Sequence, residues 1–284
     1  FITGDAKPST ALRQGRRSSM RLALDAFASG EAQCAVSAGN TGALMAMAKF
    51  ALKTLPGIDR PAIATFFPTR RGESVLLDLG ANVECDAENL VQFALMGEVF
   101  ARTVLGTSRP SVALLNIGSE ELKGNDAVRG AAARLRAPGS PINFVGYVEG
   151  DDIGAGSADV IVTDGFTGNV ALKTAEGTAK LFLEFVRAAF ASSTLAKLGY
   201  VFAKPALQKL RERLDVRRYN GAVFLGLEGI AVKSHGGTDE LGFANAIAVG
   251  ADMVINGFLD KIRDDIARMS AVTDVPEKPQ TAAI

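Results

Sequence analysis

Short apolar segments typical of strands alternate with longer amphipathic segments typical of helices along most of the 284 residues. A chain that returns to a sheet through a helix places the next strand parallel to the previous one. The alternation therefore predicts an α/β fold with three layers, in which a mainly parallel sheet lies between helices, as a single domain over residues 1–284. Ligand sites in such folds lie beyond the carboxyl ends of the strands.

The pattern also predicts the positions of the individual elements. The predicted strands cover residues 33–39, 62–68, 74–80, 111–118, 142–148, 160–162, 221–229 and 230–236. The predicted helices cover residues 40–55, 86–105, 124–137, 168–214 and 238–266. We expect the long helical region to be interrupted near Gly199 or at Lys204–Pro205, because proline lacks the N–H that a helix interior requires.

The turn Asp164–Asn169 joins a predicted buried strand to a helix, and it is polar and contains two glycines. Free backbone N–H groups and the positive end of the helix dipole meet at such a turn, so it favours an anion. Lys173 adds a positive charge one turn later. The alternative interpretation is an ordinary capped turn, with Thr167 or Asn169 as the N-cap and Lys173 in solvent.

Four further polar loops, at residues 37–42, 78–82, 119–125 and 234–237, also follow predicted strands. If these loops meet at one edge of the sheet, they form a crevice rich in amide and amino donors, which suits phosphate or a phosphorylated ligand. The predicted phosphate- or substrate-binding residues are Ser37, Asn40, Thr41, Gly42, Asn82, Asn125, Asp164, Thr167, Gly168, Lys173 and Gly236.

Several other classes of function are disfavoured by the sequence. The 31 basic and 31 acidic residues balance, which argues against a nucleic-acid partner. The P-loop, dinucleotide-binding and G-x-S-x-G motifs are absent, and one histidine cannot supply a His-rich metal cluster, so we expect no metal and no cofactor. Cys34 and Cys85 favour packing roles in a reducing compartment over nucleophilic ones. Without a signal pattern or a long apolar run, the chain is expected to be cytoplasmic.

Seven motifs in order resemble the PlsX family of bacterial phosphate acyltransferases, and they extend over nearly the whole chain. They are SSM (18–20), SAGNTGAL (37–44), DLGANVEC (78–85), KGND (123–126), VEGDDI (148–153), DGFTGNVALKTAEG (164–177) and VKSHGG (232–237). The glycine-rich segment that normally precedes KPSTALR in this family has no counterpart in the sequence, so we expect that part of the family's chain to be missing.

This resemblance implies a function and a fold. The family transfers a long acyl chain from the thioester of acyl carrier protein to inorganic phosphate, which yields acyl phosphate for phospholipid synthesis. Its fold is similar to those of phosphotransacetylases and isocitrate/isopropylmalate dehydrogenases, and its members are homodimers. The resemblance implies that Lys123 and Asn169 are the catalytic pair. It leaves His235 as a second candidate, either to protonate the departing sulfur or as a structural residue.

The resemblance also places a protruding helical hairpin at residues 178–219. Its apolar positions are mixed with basic ones, namely Lys197, Lys204, Lys209, Arg211 and Arg213. Two interpretations remain open: peripheral contact with an anionic membrane, or packing against a partner subunit. Two alternative functions also remain open, a phosphotransacetylase-like transfer from acyl-coenzyme A and a non-catalytic scaffold that recruits acyl carrier protein to the membrane.

Overall fold

An eight-stranded sheet lies at the centre of the computed structural model, which describes residues 2–213, 215 and 217–273. In chain order the strands are β1 (Ala35–Ser37), β2 (Ala62–Thr69), β3 (Gly72–Leu77), β4 (Val112–Leu115), β5 (Phe144–Val148), β6 (Val160–Val162), β7 (Ala222–Leu225) and β8 (Ala231–Lys233). Their order across the sheet is β1-β8-β7-β2-β3-β6-β4-β5.

The sheet is mainly parallel, as predicted, but its two halves differ. The pairs β3–β6, β4–β6, β4–β5 and β1–β8 are parallel. The pairs β2–β3, β2–β7 and β7–β8 are antiparallel. These three reversals make β1 and β8 run opposite to β3, β4 and β6. The loops after β1 and β8 therefore leave the opposite edge of the sheet from the loops after β3, β4 and β6.

Helices cover both faces of the sheet. They are α1 (Pro8–Gln14), α2 (Ser19–Ala28), α3 (Thr41–Leu52), α4 (Ala87–Phe100, continued by the π-helical turn Ala101–Leu105), α5 (Asp126–Leu135), α6 (Asp152–Ala155), α7 (Gly165–Ala191), α8 (Thr194–Arg213), α9 (Glu240–Ile255) and α10 (Phe258–Thr273). One buried apolar cluster joins the sheet to α4, α5, α9 and α10, and a second joins its other face to α1, α2, α3 and α6. The predicted three-layer arrangement is confirmed.

The predicted breaks in the helices are partly wrong. The long helical region is interrupted at Ser192 and Ser193, not at Gly199 or Lys204–Pro205. Ser192 Oγ donates to the Ala189 carbonyl at 2.7 Å, and Ser193 Oγ accepts from the Ala196 N–H at 3.1 Å. Such local hydrogen bonds compete with the helical pattern, whereas Pro205 is accommodated inside α8.

Two further differences concern other helices. The predicted helix 238–266 divides into α9 and α10 at Gly257, whose φ of 62° lies in the left-handed region that ends helices. The helices α1 and α2 lie before residue 40, where the sequence pattern predicted no helix.

The helices α7 and α8 form a hairpin, and Phe190 contacts Tyr200 edge to face with ring centroids 5.5 Å apart. Within the described residues, no single helix is both long and apolar enough to span a membrane. The bent pair formed by Glu240–Ile255 and Phe258–Arg268 has the length and composition of a membrane span when its two helices are taken together. By themselves, length and composition are weak evidence for such a span.

The first turn of α7 packs closely against the loop that follows β3. The Gly165 N–H donates to the Asn82 carbonyl at 2.7 Å. A Cβ atom added at Gly168 would lie 2.0 Å from the carbonyl oxygen of Asp78, so only glycine fits there. Gly177 lies farther along the same helix and has no neighbour within 4 Å of an added Cβ.

These two glycines form a matched pair for substitution. Gly168→Ala should lower the free energy of unfolding by about 1–3 kcal/mol, because the added methyl group forces the helix away from the loop. Gly177→Ala should raise it by about 0.5–1 kcal/mol, because alanine loses less backbone entropy in a helix. Urea denaturation measures both changes. Equal effects of the two substitutions would contradict the close packing at Gly168.

Candidate active site

The predicted site residues fall into two groups at opposite edges of the sheet. Loops 78–82 and 116–125 follow the parallel strands β3 and β4, and the first turns of α7 follow β6; we call this the first edge. Loops 37–42 and 234–237 follow β1 and β8, and we call this the second edge. Because β1 and β8 run opposite to β3, β4 and β6, strand direction alone does not bring all five loops to one crevice, and that crevice stays a prediction.

The amino end of α7 is not the open anion cradle that we expected. Asp164 is the N-cap, and its carboxylate accepts from the Thr167 N–H and from Thr167 Oγ1, both at 2.8 Å. The N–H groups of Gly165 and Gly168 donate to the carbonyls of Asn82 and Asp164. Three of the first four amides thus have partners, and a carboxylate already occupies the positive end of the dipole. The capped-turn interpretation is the better one, with Asp164 as the cap.

Asn169 lies at the first edge and is fixed in position. Its Nδ2 donates to the Leu79 carbonyl at 3.1 Å, which holds the exposed side chain over loop 78–82. Gly80 permits this approach, because an added Cβ would lie 3.1 Å from Asn169 Nδ2 and its φ of 121° suits glycine. An amide nitrogen carries two N–H groups, so Asn169 keeps a second donor for a ligand.

Lys123 lies in the loop after β4, at the same edge. Asn116 closes this loop by donating from Nδ2 to the carbonyls of Gly118 and Lys123, at 3.1 and 3.3 Å. The Lys123 side chain is exposed, and it forms no ion pair within the described residues. Since β4 and β6 are parallel neighbours, Lys123 and Asn169 follow adjacent strands.

Two predicted ligands at the first edge have structural roles. Asn82 is buried, and its Nδ2 donates to the carbonyl of Pro61 at 2.8 Å and to the carboxylate of Asp78 at 2.9 Å. Both of its amide N–H groups are therefore occupied. Asn125 is the N-cap of α5, and its Oδ1 accepts from the Val128 N–H at 2.9 Å. Its Nδ2 remains the group that could reach a ligand.

Apolar side chains surround the first edge. Val83, Ile117, Leu122, Phe166 and Val170 are each more than half exposed, and they belong to the loops after β3 and β4 and to the first turns of α7. We call these five residues the apolar rim. Exposed apolar side chains that cluster beside polar groups are typical of binding surfaces.

The second edge brings together the other predicted residues. The Ser234 N–H donates to the Ser37 carbonyl at 2.9 Å, which joins loop 234–237 to loop 37–42. Asn40 caps α3 through Oδ1, which accepts from the Ala43 N–H at 2.8 Å, and its Nδ2 donates to the Gly4 carbonyl at 2.6 Å. The other predicted residues at the second edge are Thr41, Gly42 and Gly236. Thr41 and Gly236 are exposed, and Gly42 lies against Pro8.

His235 follows β8 and belongs to the second edge. Its side-chain Nδ1 accepts from the Gly237 N–H at 3.1 Å. Its backbone N–H donates to Asn220 Oδ1 at 2.8 Å. These contacts favour the structural role that the sequence left open for this residue. The role of His235 in protonating a departing sulfur stays a prediction.

Lys233 is a residue that the sequence analysis did not single out. It ends β8, is half-buried, and donates from Nζ to the Ser234 carbonyl. Burial lowers the pKa of Lys233, and the nearby positive charge of Lys173 lowers it further. Lys173 itself is exposed and pairs with Glu176 at 2.9 Å on its own helix. The signal available in the sequence was the motif VKSHGG (232–237), which contains Lys233.

The two cysteines are poor nucleophiles in this environment. Burial raises the pKa of Cys34. Burial and the negative charges of Asp78 and Asp164 raise the pKa of Cys85 to about 11. Both thiols are therefore protonated at neutral pH, whereas the thiolate is the nucleophilic form. The described residues also contain no group of three or more His, Cys, Asp or Glu side chains that could hold a metal ion.

Known proteins are similar to this chain over most of its length. Residues 1–261 match the family model described as "Fatty acid synthesis protein". The phosphate acyltransferase of Rhodospirillum centenum is 67% identical over 287 residues, covering 100% of this chain and 81% of that protein. The phosphate acyltransferase of Rhodospirillum rubrum is 65% identical over 271 residues, covering 95% of this chain and 78% of that protein.

Solved structures share the fold. A phosphotransacetylase from Streptococcus pyogenes superposes with a TM-score of 0.57 at 18% identity, covering 86% of this chain and 72% of that one. A branched-chain phosphotransacylase from Enterococcus faecalis superposes with a TM-score of 0.54 at 14% identity, covering 83% of this chain and 78% of that one. The predicted phosphotransacetylase-like fold is confirmed. By sequence, this chain belongs to the PlsX family of phosphate acyltransferases and is an acyltransferase of fatty acid synthesis.

Proposed function

We propose that this acyltransferase moves a long-chain acyl group from the thioester of acyl carrier protein to inorganic phosphate. A phosphate oxygen attacks the thioester carbon, the carbon–sulfur bond breaks, and acyl phosphate and the carrier thiol are released. Membership in the family supports transfer to phosphate. The observation that carries the proposal is that Lys123, in a loop, and Asn169, near the start of α7, follow the adjacent parallel strands β4 and β6.

Lys123 and Asn169 supply the donors that this reaction needs. The carbonyl oxygen becomes negative as phosphate adds, and donors already fixed in place stabilise that charge most effectively. Asn169 is fixed by its bond to the Leu79 carbonyl and offers its second N–H group. Lys123 is a cation without an ion-pair partner in the described part of the chain, so it is available to both the phosphate and the oxyanion.

The reaction requires neither a strong base nor a covalent intermediate on the enzyme. Inorganic phosphate is a mixture of monoanion and dianion at neutral pH, so a nucleophilic oxygen is available without a strong base. A thiolate with a pKa of about 8.5 is a good leaving group and takes its proton from water. The protonated state of Cys85 agrees with direct attack by phosphate. Positioning and electrostatic stabilisation are therefore the enzyme's main contributions.

The apolar rim is the surface that we assign to the acyl chain. Its five residues, which are Val83, Ile117, Leu122, Phe166 and Val170, belong to the loops and helix turns that surround Lys123 and Asn169. A long acyl chain must leave the thioester carbon within a few bonds of those two residues. Burial of its methylene groups against the rim contributes about 0.8 kcal/mol for each.

Substitution of the two donors tests the reaction. Lys123→Met and Asn169→Ala should each lower kcat by about 100-fold or more, because each removes one donor to the developing oxyanion. Both side chains are exposed, so the folded state should persist. The assay measures acyl phosphate by mass spectrometry with phosphate and a long-chain acyl carrier donor.

The control is Lys261→Met, which removes an exposed lysine from α10 on the opposite face of the sheet and should leave kcat unchanged. Full activity in both site variants would refute the assignment of Lys123 and Asn169. The same assay with acyl-coenzyme A as the competing donor identifies the preferred carrier. Thiol release that does not depend on phosphate would refute the proposed acceptor.

We propose that the α7–α8 hairpin serves contact with a second subunit and with an anionic membrane. No residue of α8, Thr194–Arg213, is buried. Phe182, Phe185, Leu195 and Phe202 are each half or more exposed, which is an unusually large apolar surface for a free helix pair. The neighbouring basic residues can attract anionic headgroups while the apolar ones insert. Because anionic lipids of the cytoplasmic leaflet attract basic segments, we propose that the hairpin contacts the cytoplasmic face of the membrane.

Charge reversal at the hairpin tests its membrane contact. The double substitution Lys197→Glu and Lys204→Glu should weaken co-sedimentation with phosphatidylglycerol vesicles by at least about tenfold, because each basic residue near the surface contributes about 1 kcal/mol. Reversal of the exposed Lys49 and Lys261, which lie outside the hairpin, is the matched control and should leave binding unchanged. If the hairpin variant binds the vesicles as well as the wild type does, the membrane contact is refuted, and contact with a partner subunit is the role that remains for the hairpin.

A further inference from the structure

Lys123 lies on a loop that buries very little of its own surface. Of residues 117–123, Gly118 is buried and all the others are exposed. A segment with so few buried apolar contacts keeps one conformation mainly through its hydrogen bonds, and without them it opens locally at little cost. The position of the Lys123 ammonium group therefore depends on the polar contacts that hold this loop.

Asn116, at the end of β4, supplies two of those contacts. Its backbone N–H donates to the Val148 carbonyl at 2.9 Å, which continues the pairing of β4 with β5 and fixes Asn116 to the sheet. Its side-chain Nδ2 donates to the carbonyls of Gly118 and Lys123, at 3.1 and 3.3 Å. An amide nitrogen carries two N–H groups, so these two bonds use both of them. One side chain thus ties both ends of the loop to the sheet.

The oxygen of the Asn116 carboxamide is also confined. A Cβ atom added at Gly124 would overlap Asn116 Oδ1, and the φ of Gly124 is 87°. Glycine adopts this conformation freely and lets the chain pass close to the carboxamide, whereas a larger residue would displace it. The loop therefore encloses the side chain that binds it.

The base of the Lys123 side chain is fixed by the same loop. The Lys123 N–H donates to the Glu120 carbonyl at 3.0 Å, which closes a turn over residues 120–123. A Cβ atom added at Gly118 would lie 3.1 Å from Cγ of Lys123, so the lysine stem lies against this glycine. Asn116 binds the carbonyls of these same two residues, Gly118 and Lys123. The start of the lysine side chain and the surface beneath it therefore share one anchor.

Two arginines also contact the loop, but at other residues. Arg129 Nη1 donates to the Gly124 carbonyl, which lies beyond Lys123. Arg136 Nη1 pairs with Glu121 at 3.4 Å, and both side chains are exposed, so this ion pair contributes little. Asn116, by contrast, bonds to the backbone of Lys123 itself.

We propose that Asn116 is a positioning residue for the acyl transfer, which fixes the loop so that the Lys123 ammonium group is held ready for the developing oxyanion. This inference rests on the proposed function, since it takes Lys123 as a donor to that oxyanion. A lysine has a flexible stem, and donors stabilise a transition state best when they are already in place. Asn116 has no amide hydrogen left for a substrate, so it acts through Lys123.

Substitution of Asn116 tests this role. Asn116→Ala removes both donors and should lower kcat by about 10- to 100-fold, because a misplacement of about 1 Å at a catalytic group costs activity on that scale. Asn116→Asp keeps the size of the side chain but replaces the donor with an acceptor, so it should show a loss of similar size. The control is Asn256→Ala, which removes an exposed amide that donates to the Asp252 carbonyl at 2.8 Å and should leave kcat unchanged.

A double-mutant cycle with Lys123 separates positioning from general damage to the fold. If Asn116 acts through Lys123, Asn116→Ala should change kcat by less than about twofold when Lys123→Met is already present. An equal loss of kcat with and without Lys123 would overturn the proposal. Full activity of Asn116→Ala in the presence of Lys123 would overturn it as well.

Hydrogen exchange tests the loop without reference to activity. In the free protein, the backbone amides of residues 117–123 should exchange about tenfold faster or more in Asn116→Ala than in the wild type, because two hydrogen bonds are lost. The amides of β4 and α4 should exchange as in the wild type, which shows that the variant folds. If the wild type forms no acyl phosphate, the proposed function fails, while the exchange still tests the anchoring of the loop. Unchanged exchange of the loop would overturn the role of Asn116 even if the reaction is confirmed.

Discussion

The buried carboxylate of Asp78 organises the first edge of the sheet. It is fully buried and accepts four hydrogen bonds, from the N–H groups of Ile63, Ala81 and Asn82 and from Asn82 Nδ2. Burial raises its pKa, and these four bonds act in the opposite direction. They hold the loop in one conformation, so that its carbonyl groups can receive α7 and Asn169. The position of the proposed oxyanion donor therefore depends on a group that never touches the substrate.

The antiparallel strands around β2 divide the polar loops into two groups. In a fully parallel sheet, every loop after a strand would open on one crevice. Here the pairs β2–β3, β2–β7 and β7–β8 reverse the chain direction three times. One edge then carries Lys123 and Asn169, and the other carries Lys233 and His235.

Local sequence signals predicted the elements well where a single segment decides the outcome. The strand before Asp164 and the helices that begin near residues 40 and 124 follow from apolar runs and helical spacing, whereas the cap roles of Asn40 and Asn125 were seen only in the structure. The break at Ser192 was missed because Pro205 was the stronger local signal, and the exposed helix α8 tolerates it. Lys123 and Asn169 were inferred as site residues from motifs. Their placement after two adjacent strands could not be inferred from sequence spacing alone.

The amino-acid sequence by itself determined the family, the layered fold class and the identity of the polar loops, because these depend on short motifs and on periodicity within single segments. Only the tertiary structure decided which loops share an edge and that Asp164 closes the amino end of α7. The physical reason is that strand direction and side-chain proximity depend on pairing between distant segments. That pairing follows from burial of the whole apolar core, which no single segment encodes.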